Sequence, residues 1–282
     1  MKIRQIYSRL SSQRFDRLNA LRSIMLGIGC LALVGCVGMP KLPNASALLP
    51  PAQIVDVKTA QAAWRASQVA KYSKIWINES AANGDPYRAG KAAYYLALAT
   101  FEPEWSKAAI TAFDKALTTE SDSSYRARAG LGASHRLAAR DFPITGAAQY
   151  LLLGIPGWKR TYHVFTSFSH LNSAVEASPD DPFIRLSRAA AFVGIPKFFG
   201  GREKGIADYE KLEQWTNNPS SNSTYSALLS SNEWRDEYYL MRAESMQQLG
   251  NDQEAVKAWQ VLSDEAEDIH LKVLATYKSV LF

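Results

Sequence analysis

The side chains of this chain best suited to acid–base or metal chemistry are its four histidines, His135, His163, His170 and His270. Imidazole titrates near neutrality and binds metals through a neutral ring nitrogen. His163 and His170 stand seven residues apart, which on a helix places them on one face, two turns apart. A metal site would need converging carboxylates or thiolates, and none stands three or four residues from either. They read as polar or half-buried helix histidines. Ser134 and His135 adjoin in Gly130-Leu131-Gly132-Ala133-Ser134-His135, but neighbouring residues on a helix point apart and form no nucleophile–base pair. Asp264 and Glu267, at i and i+3, are expected on one helix face, within a charged stretch that reads as solvated. There is no His-Glu-x-x-His, no Gly-x-Ser-x-Gly and no glycine-rich phosphate loop. The expectation is a protein without catalytic groups, metal or cofactor.

Aromatic residues make up 11% of the chain and include seven Trp, so their placement matters. Trp64, Trp76, Trp105, Trp234 and Trp259 fall in helical segments and are expected in the core. Trp158, Phe198 and Phe199 stand among Gly and Pro, which places them in turns. There they are candidates to anchor a partner or to plug the end of a pocket.

The elements that would hold these residues are helices. Over 103–119, Ala109, Phe113, Ala116 and Leu117 recur at i, i+4, i+7 and i+8, the stripe of one helix face. Over 252–265, Ala255, Trp259 and Leu262 repeat the pattern, with Asp252 as the expected cap. Pro86 in Asn83-Gly84-Asp85-Pro86 suits a first helical turn. Further breaks fall at 178–182, Gly200-Gly201, 217–222 and Gly250-Asn251-Asp252. No run alternates with period two, so the fold class is all-α, with about ten helices.

The last of these units resembles a tetratricopeptide (TPR) repeat, a pair of antiparallel helices of roughly 34 residues with small residues where they cross. Tyr239, Ala243, Met246, Gly250, Ala255 and Trp259 carry the pattern. Leu96-Ala97 with Ala109, Phe113 and Ala116-Leu117 form a second unit over 90–123, and Ala174-Val175…Pro179 resembles the end of another. The resemblance implies a TPR-like α-solenoid of antiparallel helix pairs over 56–282. In the middle, Gly154-Ile155-Pro156-Gly157-Trp158 and Gly194-Ile195-Pro196-Lys197-Phe198 recur forty residues apart. They read as an internal repeat with an elongated turn, and the register over 122–200 stays open. Ile195 to Gly201 resembles the turn of TRAP-transporter-associated periplasmic repeat lipoproteins.

Charge is confined to one end. The net charge is +5, and residues 1–35 hold six basic side chains and one acid. The rest holds 26 of each sign, which excludes a global bias toward nucleic acid. Behind the basic stretch, Ser23 to Gly35 is an uncharged apolar run, shorter than the roughly 20 residues that span a bilayer. Basic region, short apolar run and small terminal residue are the layout of a secretory signal. Leu33-Val34-Gly35-Cys36 resembles the lipobox of bacterial lipoproteins. That resemblance implies diacylglycerol on Cys36, cleavage after Gly35 and acylation of the new N-terminus. Val37 rather than Asp at the next position favours the outer membrane by the same resemblance. Cys30 would leave with the signal and Cys36 would be lipidated, leaving a mature chain without a disulfide. Residues 36–55, with Pro40, Pro43, Pro50 and Pro51, then read as an extended tether.

Two functions are consistent with this layout. One is a lipid-anchored, periplasm-facing scaffold that binds an envelope protein or peptide during envelope assembly or transport. The other is a small-ligand-binding accessory component of a periplasmic transport system. Cys36→Ser is expected to abolish lipid-dependent membrane retention while leaving helicity by circular dichroism unchanged. A Ser variant lipidated and processed like the wild type would refute the lipobox reading.

Overall fold

The computed structural model of the protein describes residues 55–118, 124–141, 155–195 and 199–281. Cys36, the tether before residue 55 and Phe198 lie outside these residues. Among the described residues the chain is all-helical, with no strand. Eleven α-helices follow one another: α1 (Val57–Glu79), α2 (Pro86–Thr100), α3 (Pro103–Thr118), α4 (Ser124–Arg140), α5 (Ile155–Ala177), α6 (Pro182–Val193), α7 (Arg202–Asn217), the short α8 (Ser226–Leu229), α9 (Asn232–Gln248), α10 (Asp252–Glu265) and α11 (Ile269–Ser279).

Local chemistry sets the helix starts. Asp56, Asp85, Asp181, Ser231 and Asp268 each accept a backbone N–H of the following turn, satisfying donors that the helix cannot. Pro86 and Pro182 follow directly, where a missing N–H does no harm. The expected cap at Asp252 moves by one residue. Asn251 accepts from Glu254, and Asp252 lies inside the first turn, where its charge suits the helix dipole.

Two further expectations need correction. Glu267 is not on a helix face with Asp264, because α10 stops at Glu265; Glu267 accepts instead from Asn232. Ile155 to Trp158 do not form an elongated turn. Helix α5 begins at Ile155, so Trp158 is helical, whereas α6 ends at Val193 and Gly194 and Ile195 leave it; Gly154 and residues 196–198 lie outside the described residues. Pro156 stands in the first turn of α5, where proline is tolerated.

Helices packed as adjacent pairs build the body. Each of α1 to α4 packs on the next, as do α4 with α5, α6 with α7, α9 with α10 and α10 with α11. Alternate helices also touch, α2 with α4 and α4 with α6, and α6 reaches the more distant α9. Close crossing demands small residues. Phe113 fills the space between Gly90 and Gly130, where an added Cβ would lie 2.7 and 2.4 Å from its ring. Trp105, Trp234 and Trp259 are fully buried and Trp76 nearly so, as expected, while Trp64 is half-buried.

The path then returns to its start. Helix α11 packs against α1 through Ala60, Ala63 and Leu274, with Val57, Trp64, Val273 and Tyr277 around them. Gln68 donates to Asp268 across the same seam at 3.2 Å. Leu274→Ala is expected to cost about 2–5 kcal/mol of stability in urea unfolding, the usual range for a buried leucine. Leu281→Ala, at an exposed residue, should change little. Equal effects of the two would show that the seam does not hold the fold.

Candidate functional site

Beside the contact of α11 with α1 lies a half-open cavity of about 900 Å³, walled by α1, α2, α4, α9, α10 and α11. That is the size of pockets that hold small molecules. Its wall carries aromatic rings and a large number of charges, and each helix carries them in order along its length.

Toward one end stand carboxylates. Glu233, Asp236 and Glu237 project from the start of α9, and Glu267 and Asp268 precede α11. Glu237 accepts a short hydrogen bond from the Tyr95 hydroxyl. Tyr95 stacks on Tyr72, with ring centres 4.4 Å apart and planes within 10°. Burial, and then the charges of Glu237, Glu233 and Asp268, push the Tyr72 phenol well above its ordinary range. Burial likewise raises the Asp236 carboxyl, although the Glu267 backbone N–H donates to it. Lys71 lies over the Tyr72 ring at 5.4 Å and Lys91 over the Tyr95 ring at 5.8 Å, the cations beside this end.

Toward the other end stand cations. The guanidinium carbons of Arg65 and Arg140 each lie 4.7 Å from the centre of the Phe101 ring. Phe101 closes α2 with φ +61°, a left-handed conformation rare for a bulky residue and found at sites where surrounding structure enforces it. Arg140 is fixed by Asp141 and by the Ala97 carbonyl. Arg136, one turn before it, donates to the Gly194 carbonyl at 3.4 Å and has no carboxylate partner among the described residues. Burial and then the like charges of Arg140 and Arg160 hold Arg136 below its usual pKa, against Tyr94. Glu244 lines this wall with its side chain open to solvent, and desolvation by the surrounding protein raises its carboxyl even though Lys278 and Arg65 oppose the shift.

Neither Trp158 nor Phe199 lines this chamber. Trp158 lies on α5, 60% exposed, in a stripe with the equally exposed Tyr162 and Phe165 at i+4 and i+7. Phe199 is half-buried and meets Phe165 edge-on at 5.8 Å. The chamber residues carry two signals legible in the sequence: Arg136 with Arg140 and Glu233 with Glu237, like charges at i and i+4. Such pairs weaken an isolated helix and so suggest a role beyond folding. Gly194 is a third: a Cβ there would meet the Arg136 guanidinium at 1.9 Å, so the glycine makes room for that side chain.

A separate cluster joins three histidines. His135 on α4 meets His163 on α5 through their Nδ1 atoms at 2.7 Å, and His170 stacks on His135 with centres 6.0 Å apart. His163 and His170 do share a face, and α4 supplies the third ring. Among the described residues no group of three or more His, Cys, Asp or Glu is placed to hold a metal ion. Ser134 donates back to the Gly130 carbonyl, away from His135. No described helix is long and apolar enough to cross a membrane.

Burial and then the neighbouring His163 and His170 lower His135 to about 4. Burial also lowers His163, opposed by Asp141 and aided by Lys159, and lowers His170, aided by Arg128 and opposed by Asp114. A depressed folded pKa means the unfolded chain binds more protons between that value and about 6.5. Stability from this cluster is therefore complete above about pH 6.5 and declines as pH falls toward 4. Urea midpoints measured across that window should fall, and His135→Leu should flatten the decline; an unchanged slope in the variant would remove His135 from the explanation. No family model, curated protein or solved structure matches the chain, and the chemistry of the chamber is the ground on which its function is argued.

Proposed function

We propose that this chain is a lipid-anchored, periplasm-facing binding protein that holds a small polar molecule in its central chamber. The supporting observation is the half-open cavity of about 900 Å³ with aromatic and charged side chains converging on it. In this reading the helix pairs are TPR-like repeats wound until their ends meet. Contacts between alternate helices and small residues at the crossings support it. A concave face closed in this way suits a small ligand better than a folded partner. The anchor on Cys36 would keep the protein at the membrane beside a transport system that uses the ligand.

The scaffold reading draws on a different surface. Trp158, Tyr162 and Phe165 form an exposed aromatic stripe on α5, the kind of residues that anchor partners. It stands second because it is a small patch beside a large built cavity.

Native mass spectrometry of the full chain in detergent, after exposure to a periplasmic extract, tests the first reading. A small-molecule adduct is expected on the wild type and should be lost in Leu240→Trp, which fills the chamber, with circular dichroism unchanged. No adduct on the wild type would overturn it. A crosslinked protein partner that depends on Trp158 and not on Leu240 would favour the second.

A further inference from the structure

The two ends of the chamber carry opposite charge, and each helix that crosses it agrees on the direction. On α1, Lys71 and Tyr72 lie among the carboxylates and Arg65 lies with Phe101. On α9, Glu233 and Glu237 stand at one end and Glu244 faces Arg65 and Lys278 at the other. On α11, Asp268 caps the start, while Lys278 near the last turn faces Glu244. The acidic end has five carboxylates against Lys71 and Lys91, and the basic end has Arg65, Arg136, Arg140 and Lys278 against Glu244 and Asp141.

Each end is only partly neutralised from within. Arg140 pairs with Asp141, but Arg136, one turn away in the same wall, and Arg65 form no ion pair among the described residues. Like charges in one wall repel, and a bound ion of opposite sign relieves them. Planar guanidiniums match a carboxylate in two-point geometry. At the acidic end, Glu233 and Glu237 stand beside the stacked Tyr72 and Tyr95, whose rings already carry Lys71 and Lys91 at 5.4 and 5.8 Å, which leaves the carboxylates to receive an ammonium.

The ends are separated by a length that can be read from the helices. From Tyr95 to Phe101 is six residues, roughly 9 Å at 1.5 Å per residue. A single α-amino acid is too short to reach both. Three extended residues, at about 3.3–3.6 Å each, span it.

From this arrangement we propose that the chamber takes an extended zwitterion, a short peptide with free ends. Its carboxylate is held by Arg65, Arg136 and Arg140, and its ammonium lies between Glu233 and Glu237. The inference rests on the reading of the chamber as a ligand site. Gly194 is a positioning residue in it, since it makes room for Arg136.

Calorimetric titration of the full chain in detergent tests the polarity with four probes: trialanine, N-acetyl-trialanine, trialanine amide and the doubly capped peptide. Trialanine should bind, and each cap should weaken binding about tenfold or more, as loss of a charged hydrogen bond does. The variants should cross over. Arg65→Gln should weaken trialanine but leave trialanine amide unchanged, and Glu237→Gln should weaken trialanine but leave N-acetyl-trialanine unchanged. Circular dichroism of both variants reports folding, and retained binding of the insensitive probe reports an intact chamber. Binding of the doubly capped peptide as tight as that of trialanine would overturn the zwitterion. So would the absence of trialanine binding in a chain that still carries another adduct in mass spectrometry. That outcome leaves the chamber a ligand site, whereas absence of every adduct removes both.

Discussion

The packing of α11 on α1 is the contact on which the chamber depends. A row of helix pairs has two free ends, and each end exposes an apolar face. Here Ala60, Ala63 and Leu274 bury those faces against one another. Two of the three are alanines, which let Leu274 pack directly on α1. Without this contact, Arg65, Tyr72 and Lys278 would stand apart in water that screens them. With it, they share the wall of one cavity, where partial exclusion of water lets charges act more strongly on one another and on whatever enters.

Order within the wall follows from helix geometry. Side chains at i, i+3, i+4 and i+7 share a face, so a helix that borders the cavity displays a sequence of residues along its length. Glu233, Glu237, Leu240 and Glu244 on α9 are such a row, and so are Arg65, Gln68 and Tyr72 on α1. A polarity written along several helices becomes a polarity of the cavity only where the closing contact sets them side by side. The apolar cores beneath supply the rigidity. Trp105 and Trp234 are fully buried in separate clusters, so the wall is backed by packed side chains on both sides.

The helices and their punctuation were legible in the sequence because they rest on local chemistry. Asp85-Pro86 starts a helix through a cap and a fixed φ, and the stripe of Ala109, Phe113 and Ala116 buries as its spacing predicts. Where a local signal is ambiguous, neighbours decided. Ile155 and Ile195 each stand in a Gly-Ile-Pro sequence, yet the first opens α5 and the second follows α6. The chamber itself was not legible, because it depends on which distant residues meet. Tyr95 and Glu237 are 142 residues apart and Gln68 and Asp268 are 200 apart. Periodicity along one helix holds no information about such pairs. The aromatic residues singled out from the sequence, Trp158 and Phe199, drew notice for standing near Gly and Pro, and they lie on another face.

Phe101 links these levels. A helix ending in left-handed conformation ordinarily uses glycine, and phenylalanine there is unfavourable. The conformation turns the ring into the space between Arg65 and Arg140, with each guanidinium 4.7 Å from its centre. Attraction between the cations and the ring face offsets part of the backbone strain. It also holds two positive side chains near each other, an arrangement that repulsion would otherwise disperse. The residue that departs furthest from local preference is thus the one that assembles the basic end of the chamber. Local cost accepted for a collective arrangement is the physical mark of a site, and it is absent from the three histidines, whose Nδ1 contact and stacked rings meet one another rather than an open space.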